Sequence, residues 1–180
     1  RQPRALIRHG INWQDSMRHF FSLALAICVV LLIGTRAYAQ QPPTPPIPKV
    51  SVYGTPITAE QARKVAATAE AEAKKRNMNM VIAIVEPSGD LVYFLKMDGA
   101  SYASIKVAQA KATSAALFNR PTKSFRERVA KGDLSPMALT GAVASDGGVP
   151  IVVDGKTIGA IGSSGGADDD ISQAGADALK

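Results

Sequence analysis

The sequence predicts an α+β fold in which an antiparallel sheet of about five strands is flanked by helices. Helical periodicity in three longer segments predicts helices that cover the sheet. Runs of strands separated by tight turns favour antiparallel pairing over a parallel βαβ arrangement. The strands are predicted from two pairs of short apolar runs, each pair joined by a turn: Met80–Val85 with Leu91–Met97, and Val149–Val153 with Lys156–Ile161.

The first 39 residues have the pattern of an export signal. Met17-Arg18-His19 is a short basic stretch, and it precedes the apolar run Phe20–Ile33. That run has the length of a signal-peptide core and is shorter than a membrane-spanning helix. Ala37-Tyr38-Ala39 then matches the A-x-A cleavage pattern. We therefore expect residues 17–39 to be a signal peptide, residues 1–16 an upstream extension, and the mature protein to be periplasmic or secreted without a stable membrane anchor.

Removal of this segment would change both the charge and the available chemistry. Five of the 21 Lys and Arg residues and one of the 15 Asp and Glu residues precede Gln40, so the remaining net charge falls from +6 to +2. That small charge removes the main argument for nucleic-acid binding. The single cysteine, Cys28, and both histidines, His9 and His19, also precede Gln40. A mature chain that starts there excludes serine–histidine and cysteine–histidine catalysis, an internal disulfide and the usual zinc sites.

The mature chain is expected to consist of a linker, residues 40–55, and one folded domain, residues 56–180. The linker begins with QQPPTPPIP, a composition typical of an extended polyproline segment. The first helix begins at a capping box formed by Thr58 and Gln61 and is predicted to run to Arg76 or Asn77. Its predicted inner stripe consists of Ala62, Val65, Ala66, Ala69 and Ala73.

The middle of the chain predicts a turn and two further helices. The segment 86–90 has the proline and glycine of a β-turn. A helix is predicted from Tyr102 to Phe118, with Lys111 facing away from the sheet and Ile105, Ala108, Ala112 and Ala115 facing it. Thr122 is predicted to cap a shorter helix that stops at Gly132. In the region that follows, residues 138–144 are a candidate edge strand.

The C-terminal stretch combines a hairpin with a glycine-rich loop. Asp154-Gly155 is a strong signal for a type I′ turn, because both central positions require positive φ. The loop Gly162–Gly166 leads to a helix that Asp168, Asp169 or Asp170 is predicted to cap. Such a loop either presents consecutive N–H groups to an anion or permits a sharp turn with close helix–sheet packing. The adjacent aspartates argue against a phosphate ligand.

Several spaced motifs together resemble the GlcG/HbpS family, whose haem-degrading-like domain also occurs at the C-terminus of PduO-type corrinoid adenosyltransferases. The resemblance covers roughly residues 57–180. It implies an α+β domain, profilin-like in outline, that forms homo-oligomers and in some members binds haem. The motifs are, in chain order, TAEQA, VAIVEPSGDLVYFLKMDGA, S-x-x-x-A-x-x-K-A-x-x-A, GGVPI and GAIGSSGG with the aspartate-led helix after it.

The resemblance also implies a set of site residues, none of them with an assigned catalytic role and none of them a site for a separate metal ion. Carried over by position, the signature residues are Asp98, Gly99, Lys111, Gly147, Gly148, Pro150, Gly162, Ser164 and Gly165. The side chains left as haem-iron ligands are Tyr102, Thr140, Met97 and Met137, and Lys106 or Lys111 would bind haem propionates. Each of these side chains also has an ordinary structural reading, as core filler, helix-start packing or a solvated group.

Three functions remain open on the sequence alone, and whether the protein catalyses a reaction is undecided. The first is an exported haem-binding protein for haem storage, sensing or degradation, with its pocket near Asp98, Lys111 and the glycine loop. The second is a protein that binds or processes a small hydroxy or keto acid, in which Lys111 and the N–H groups of Gly162–Gly166 hold the carboxylate and Asp98 or Asp146 moves a proton. The third is a non-catalytic oligomeric assembly module whose alanine-rich helix faces are subunit interfaces.

Overall fold

The computed structural model describes residues 52–180, and from residue 56 onward its helices and the four longer strands follow the predicted order. The predicted upstream extension, the signal peptide and residues 40–51 of the predicted linker lie outside the described residues. Residues 52 and 53 of that linker form a short strand that was not predicted. Among the helices from residue 52 onward, none has both the length and the apolarity to cross a membrane. The elements are β1 (Val52–Tyr53), α1 (Ala59–Lys75), β2 (Val81–Val85), β3 (Leu91–Lys96), α2 (Tyr102–Phe118), α3 (Lys123–Ala130), a 3₁₀ helix (Ser135–Ala138), β4 (Gly148–Val153), β5 (Lys156–Ser164) and α4 (Asp168–Asp177).

The sheet is organised around β5. It pairs antiparallel with β2 and with β4, and parallel with the two-residue β1. β3 pairs antiparallel with β2 and forms an edge of the sheet. The predicted five-stranded α+β architecture is therefore confirmed, with the difference that β1 makes the sheet mixed instead of purely antiparallel.

Helices cover both faces of the sheet, which explains why β2 is buried along its whole length. Successive strand residues point to opposite faces. Ile82 and Ile84 pack in one cluster with α1 and α4, whereas Val81, Ala83 and Val85 pack in a second cluster with α2. The predicted inner stripe of α1 is confirmed, because all five of its residues are buried.

α2 lies unusually close to β4 and β5 because small residues meet at the contact. A Cβ atom at Gly162 would overlap the carbonyl oxygen of Ala108 and lie 2.5 Å from the backbone nitrogen of Ala112. A Cβ atom at Gly148 would overlap the carbonyl oxygen of Lys111. These two glycines are therefore required by helix–sheet packing.

The local signals at turns and helix starts are confirmed in most places. Thr58 and Gln61 form the complete capping box of α1. Asp154 and Gly155 both have positive φ, as the type I′ turn requires. Thr122 does not cap α3 as predicted, because its hydroxyl accepts a hydrogen bond from the Gly148 backbone N–H at 2.9 Å and so holds the start of β4.

The prediction of an edge strand at 138–144 is wrong. A 3₁₀ helix, with Pro136 in its first turn, occupies the beginning of this region. Gly141 then adopts a φ of +82°. The Val143 N–H donates to the Ser114 hydroxyl at 3.0 Å, so this segment is attached to α2 instead of to the sheet.

Gly162→Ala is expected to lower the free energy of unfolding by at least about 3 kcal/mol, because the new methyl group meets helix backbone that cannot move aside. The matched control is Gly141→Ala, where φ is +82° but no atom lies within 4 Å of the new Cβ. Its cost is limited to about 1 kcal/mol of backbone strain. Urea unfolding measures both variants, and equal losses would contradict the packing argument.

Candidate functional site

β5 extends to Ser164, so the predicted loop Gly162–Gly166 is reduced to the residues that follow Ser164. This shorter glycine loop binds an anion, and that anion is the side chain of Asp168. One carboxylate oxygen, Oδ1, accepts hydrogen bonds from the backbone N–H groups of Gly165 and Gly166 at 2.9 and 2.8 Å. The other oxygen, Oδ2, accepts from Lys111 Nζ at 2.6 Å. Lys111 Nζ also donates to the carbonyl oxygen of Ser163 at 3.1 Å. We call this arrangement the carboxylate cradle: Lys111, Gly165, Gly166 and Asp168.

The prediction that Lys111 faces away from the sheet is wrong. The Lys111 side chain is 2% exposed and that of its partner Asp168 is 18% exposed. A buried ammonium group is tolerated when a carboxylate and further hydrogen bonds compensate its lost hydration. The close approach of α2 to the sheet leaves no route to solvent, so the amine is stabilised by a partner 57 residues away.

Serine hydroxyl groups form hydrogen bonds with the backbone beside the cradle. The Ser163 hydroxyl donates to the carbonyl oxygen of Asp168 at 2.6 Å. The Ser172 hydroxyl lies 2.7 Å from the carbonyl oxygen of Gly147 and 2.8 Å from the Ser163 hydroxyl. Gly147 has a φ of +103°, and a Cβ there would lie 2.5 Å from Asp168 Cβ. Gly147 therefore serves the backbone geometry beside the cradle.

The aspartates at the start of α4 attach this helix to the other three. Each one forms an ion pair with a residue in or directly after a different helix, and none caps α4 through its side chain. Acidic groups in a first helical turn are also stabilised by the helix dipole. The hydrogen bond from Lys123 to Asp169 raises the pKa of the Lys123 amine. The pairs are Lys111–Asp168 at 2.6 Å, Lys123–Asp169 at 3.1 Å and Arg76–Asp170 at 2.8 Å.

A cleft of about 430 Å³ opens beside these pairs and is lined by α3 residues, residues 145–146 and residues 166–170. Its charged groups neutralise one another. Arg126 Nε lies 2.6 Å from Asp146 Oδ1, and this hydrogen bond raises the pKa of the Arg126 guanidinium. In the part of the chain from residue 52 to 180, no group of three or more acidic, histidine or cysteine side chains is placed to hold a metal ion.

A second cleft, of about 510 Å³, lies between α1 and the end of β3, and we call it the lysine cleft. Leu95 and Met97 form its apolar part and pack against the core. Lys74 pairs with Glu70 at 2.7 Å. Lys96 Nζ lies 5.5 Å from the centre of the Tyr102 ring, within cation–π range. The lining residues are Glu70, Lys74, Asn79, Leu95, Lys96, Met97 and Asp98.

The structure brings together one group of the predicted site residues at one end of the sheet. Met97 and Asp98 line the lysine cleft, and Tyr102 adjoins it through Lys96. Ser164, at the end of β5, is buried and lies 3.2 Å from the Ser104 hydroxyl at the start of α2. The Met97 sulfur accepts a 3.5 Å hydrogen bond from the Met80 N–H.

Asn79 separates this group from the glycine loop. A Cβ at Gly99 would lie 2.8 Å from the Asn79 side-chain nitrogen, and one at Gly165 would lie 2.6 Å from the Asn79 carbonyl oxygen. The two clefts share no lining residue. Asp98 lines the lysine cleft, whereas Lys111 is buried in the cradle and lines neither of the two clefts. The predicted pocket near Asp98, Lys111 and the glycine loop stays a prediction.

The remaining predicted residues line neither cleft. Lys106, Thr140 and Met137 are exposed. Lys106 lies on the outer surface of α2, and the other two lie in residues 134–144, which we call the 3₁₀ region. Gly148 and Gly162 pack against α2, and Pro150 lies within β4. Sequence reasoning missed Lys74 and Lys96, whose only signal was their position at the end of an amphipathic helix and of an apolar strand. The ligand roles assigned to all these residues stay predictions.

Comparisons with known proteins agree with the fold and with the spaced motifs. Residues 57–179 match a family model described as haem degrading protein HbpS-like. Protein GlcG of Escherichia coli K12 is 35% identical over 108 residues, which cover 60% of this chain and 81% of GlcG. A double mutant of Streptomyces reticuli HbpS superposes with a TM-score of 0.64 at 28% identity, covering 78% of this chain and 99% of HbpS. The PduOC:haem complex superposes with a TM-score of 0.63 at 25% identity, covering 70% and 96%.

The two partners of the buried pair are expected to respond differently to substitution. Asp168→Asn strands a buried ammonium group and should cost about 3 kcal/mol of unfolding free energy. Lys111→Met leaves a carboxylate that still accepts two backbone hydrogen bonds, and should cost about 1 kcal/mol. The double variant should be more stable than Asp168→Asn alone. Urea unfolding measures all three, and a Lys111→Met cost equal to that of Asp168→Asn would argue against this assignment.

Proposed function

This chain belongs to the family of haem-degrading HbpS-like proteins, and on that premise we propose that it is a haem-binding protein. The family match covers nearly all of the described residues. One of the similar structures is itself a haem complex. Family membership supports a haem-related role, and the residues of this chain supply the rest of the argument.

The lysine cleft is the observation that carries the proposal. Leu95 and Met97 offer an apolar surface to a porphyrin ring, and the ammonium groups of Lys74 and Lys96 suit the two propionates. The Lys74 side chain is 63% exposed, and among the residues that the structure describes its ion-pair partner is Glu70 alone, so redirecting it costs little. We therefore assign propionate binding to these two lysines, in place of Lys111.

The described residues fit haem through a weak iron ligand. They contain no histidine or cysteine. Methionine and tyrosine are both known haem ligands, and Met97 lies in the cleft while Tyr102 adjoins it. Bound haem would supply redox and oxygen chemistry, while this chain would hold the ring and orient the propionates. Storage, sensing and degradation are the family roles that such binding would serve.

The small-acid alternative receives less support from the geometry. It required Lys111 and the loop N–H groups to hold a ligand carboxylate. Those groups already bind the carboxylate of Asp168. An external carboxylic acid would have to displace the carboxylate of Asp168, which the chain itself holds at these N–H groups. The loop is therefore a poor site for a small acid, and haem is the better-supported ligand.

We also propose that the protein acts outside the cytoplasm and as a homo-oligomer. The export part rests on the basic stretch, the apolar run and Ala37-Tyr38-Ala39. The oligomer part rests on the resemblance to the GlcG/HbpS family and on the exposed apolar residues of α2 and the 3₁₀ region.

Titration of the exported, processed protein with hemin is expected to shift the Soret band at low micromolar protein. The double variant Lys74→Ala/Lys96→Ala should bind at least about tenfold more weakly, since two charge-assisted contacts are lost. Lys156→Ala is the matched control, because this exposed lysine lies at the opposite end of β5. No Soret shift, or equal weakening by the control, would falsify the assignment.

The same spectra identify the iron ligand. Met97→Leu should change the position of the Soret band if the thioether binds iron, and Tyr102→Phe should change it if the phenolate does. A spectrum unchanged in both variants would exclude both residues as ligands while leaving the lysine result intact.

Processing is expected to remove everything before Gln40 when the full chain is expressed in a host with a general export pathway. Intact-mass spectrometry of the exported protein should give a chain that begins at Gln40. Ala39→Phe should block cleavage, because the site requires a small residue. An exported protein that retains His19 and Cys28 would contradict both the cleavage and the ligand argument built on it.

A further inference from the structure

The outer face of α2 is apolar, although it points away from the sheet. Only two residues of this 17-residue helix carry a charge, Lys106 and Lys111, and Lys111 is buried. A helix that is apolar on nearly all sides is normally covered on nearly all sides. Beyond Tyr102 at the first position of the helix, the exposed apolar residues are Ala103, Val107, Ala110 and Leu117, with Val107 39% and Leu117 50% exposed.

These positions have the spacing of a helix–helix seam. They follow one another at intervals of four, three and seven residues, which is the repeat by which one helix packs against another. The two alanines allow a second helix to approach closely. The seam differs from the stripe that faces the sheet, where Ala108, Ala112 and Ala115 are fully buried.

Each flank of the seam has its own neighbour. On one flank, the turn 86–90 packs beside α2, with the Thr113 hydroxyl donating to the carbonyl oxygen of Gly89 at 3.1 Å. On the other flank, the hydrogen bond from Val143 to Ser114 attaches the 3₁₀ region to α2. That region carries three further exposed apolar side chains, Leu134, Met137 and Leu139.

The charges around the seam lack partners within the described chain. Lys106 forms no ion pair there, and neither does Glu86 or Asp90 in the turn 86–90. The two carboxylates share only the hydroxyl of Ser88. A cation near the N-terminal end of the seam and two anions near its C-terminal end make the face complementary to itself.

We propose that this face of α2 binds the same face of a second copy, in an antiparallel arrangement with the two-fold axis beside Ala110. The inference rests on the homo-oligomer included in the proposed function and names its surface. Such an interface is isologous, so every contact occurs twice. A lipid surface fits less well, because Lys106 is the single exposed cation on the helix.

The two-fold arrangement brings the unpaired charges together. Lys106 precedes Ala110 by four residues, or about 6 Å along the helix, so it lies level with residue 114 of the second copy. The two-fold axis is perpendicular to both helices, so each flank of one helix lies opposite the same flank of the other. At 100° per residue, Lys106 lies on the same flank as Thr113 and Leu117. Lys106 therefore faces the acidic turn 86–90 of the second copy.

The apolar flank is matched in the same way. Val107 lies on the opposite flank from Lys106, where the 3₁₀ region is attached. In the antiparallel pair, Val107 meets the 3₁₀ region of the second copy and its exposed side chains Leu134, Met137 and Leu139. Charge at one margin and apolar surface at the other fix the register of the two helices.

Sedimentation velocity of the full chain tests the interface. Ala110→Glu places two carboxylates against each other at the axis and should raise the dissociation constant of the pair at least about a hundredfold. The matched control is Ala71→Glu, an alanine on α1 that is also exposed and whose substitution should leave the sedimenting mass unchanged. A monomeric wild type, or an Ala110→Glu protein of unchanged mass, would overturn the inference.

A charge-reversal cycle tests the register. Lys106→Glu should weaken the pair at least about tenfold, and Asp90→Lys in the same chain should restore most of the loss. Failure of the second change to restore assembly would overturn the antiparallel register. Hemin titration of Ala110→Glu separates the two proposals. If assembly responds as expected but the protein gives no Soret shift, only the haem assignment is contradicted. If the Soret shift is seen but assembly does not respond, only the interface is contradicted.

Discussion

The ion pair between Lys111 and Asp168 is the contact on which the arrangement of the helices depends. It joins the middle of α2 to the first residue of α4 across the end of β5. A buried charge pair of this kind is stable only when the remaining hydrogen-bonding capacity is also satisfied. Here Gly165, Gly166 and Ser163 complete it. The glycine-rich loop is therefore part of the electrostatic core of the domain.

This pair also bears on the ligand site that we propose. Because the cradle holds an internal carboxylate, the glycine loop has no N–H groups at Gly165 and Gly166 left for an external anion. The neighbouring cleft is equally neutralised by its own ion pairs. The lysine cleft differs, since an apolar surface and the amine of Lys96 remain there beside Met97. The ligand site that we propose therefore lies on the other side of Asn79 from the loop.

Local signals predicted the elements well, because they depend on neighbours in the chain. The capping box at Thr58, the Asp154-Gly155 turn and the alanine stripe of α1 involve residues within a few positions of one another. The burial and ion pairing of Lys111 were not predictable in this way, because its partner Asp168 lies 57 residues away. The lysine cleft has the same origin, since Lys74 and Lys96 line one cleft only after α1 packs against the sheet.

The proposed haem site and the proposed subunit interface lie on opposite faces of the sheet. The lysine cleft belongs to the layer that contains α1, whereas the seam belongs to the outer side of α2 in the opposite layer. Tyr102 is the residue that borders both, because it starts α2 and its ring lies against Lys96. At 85% exposure it has room to contact a ligand or a second copy. In the proposed antiparallel pair the far end of the partner helix lies toward this ring, so the proposed haem site and the proposed interface meet at Tyr102.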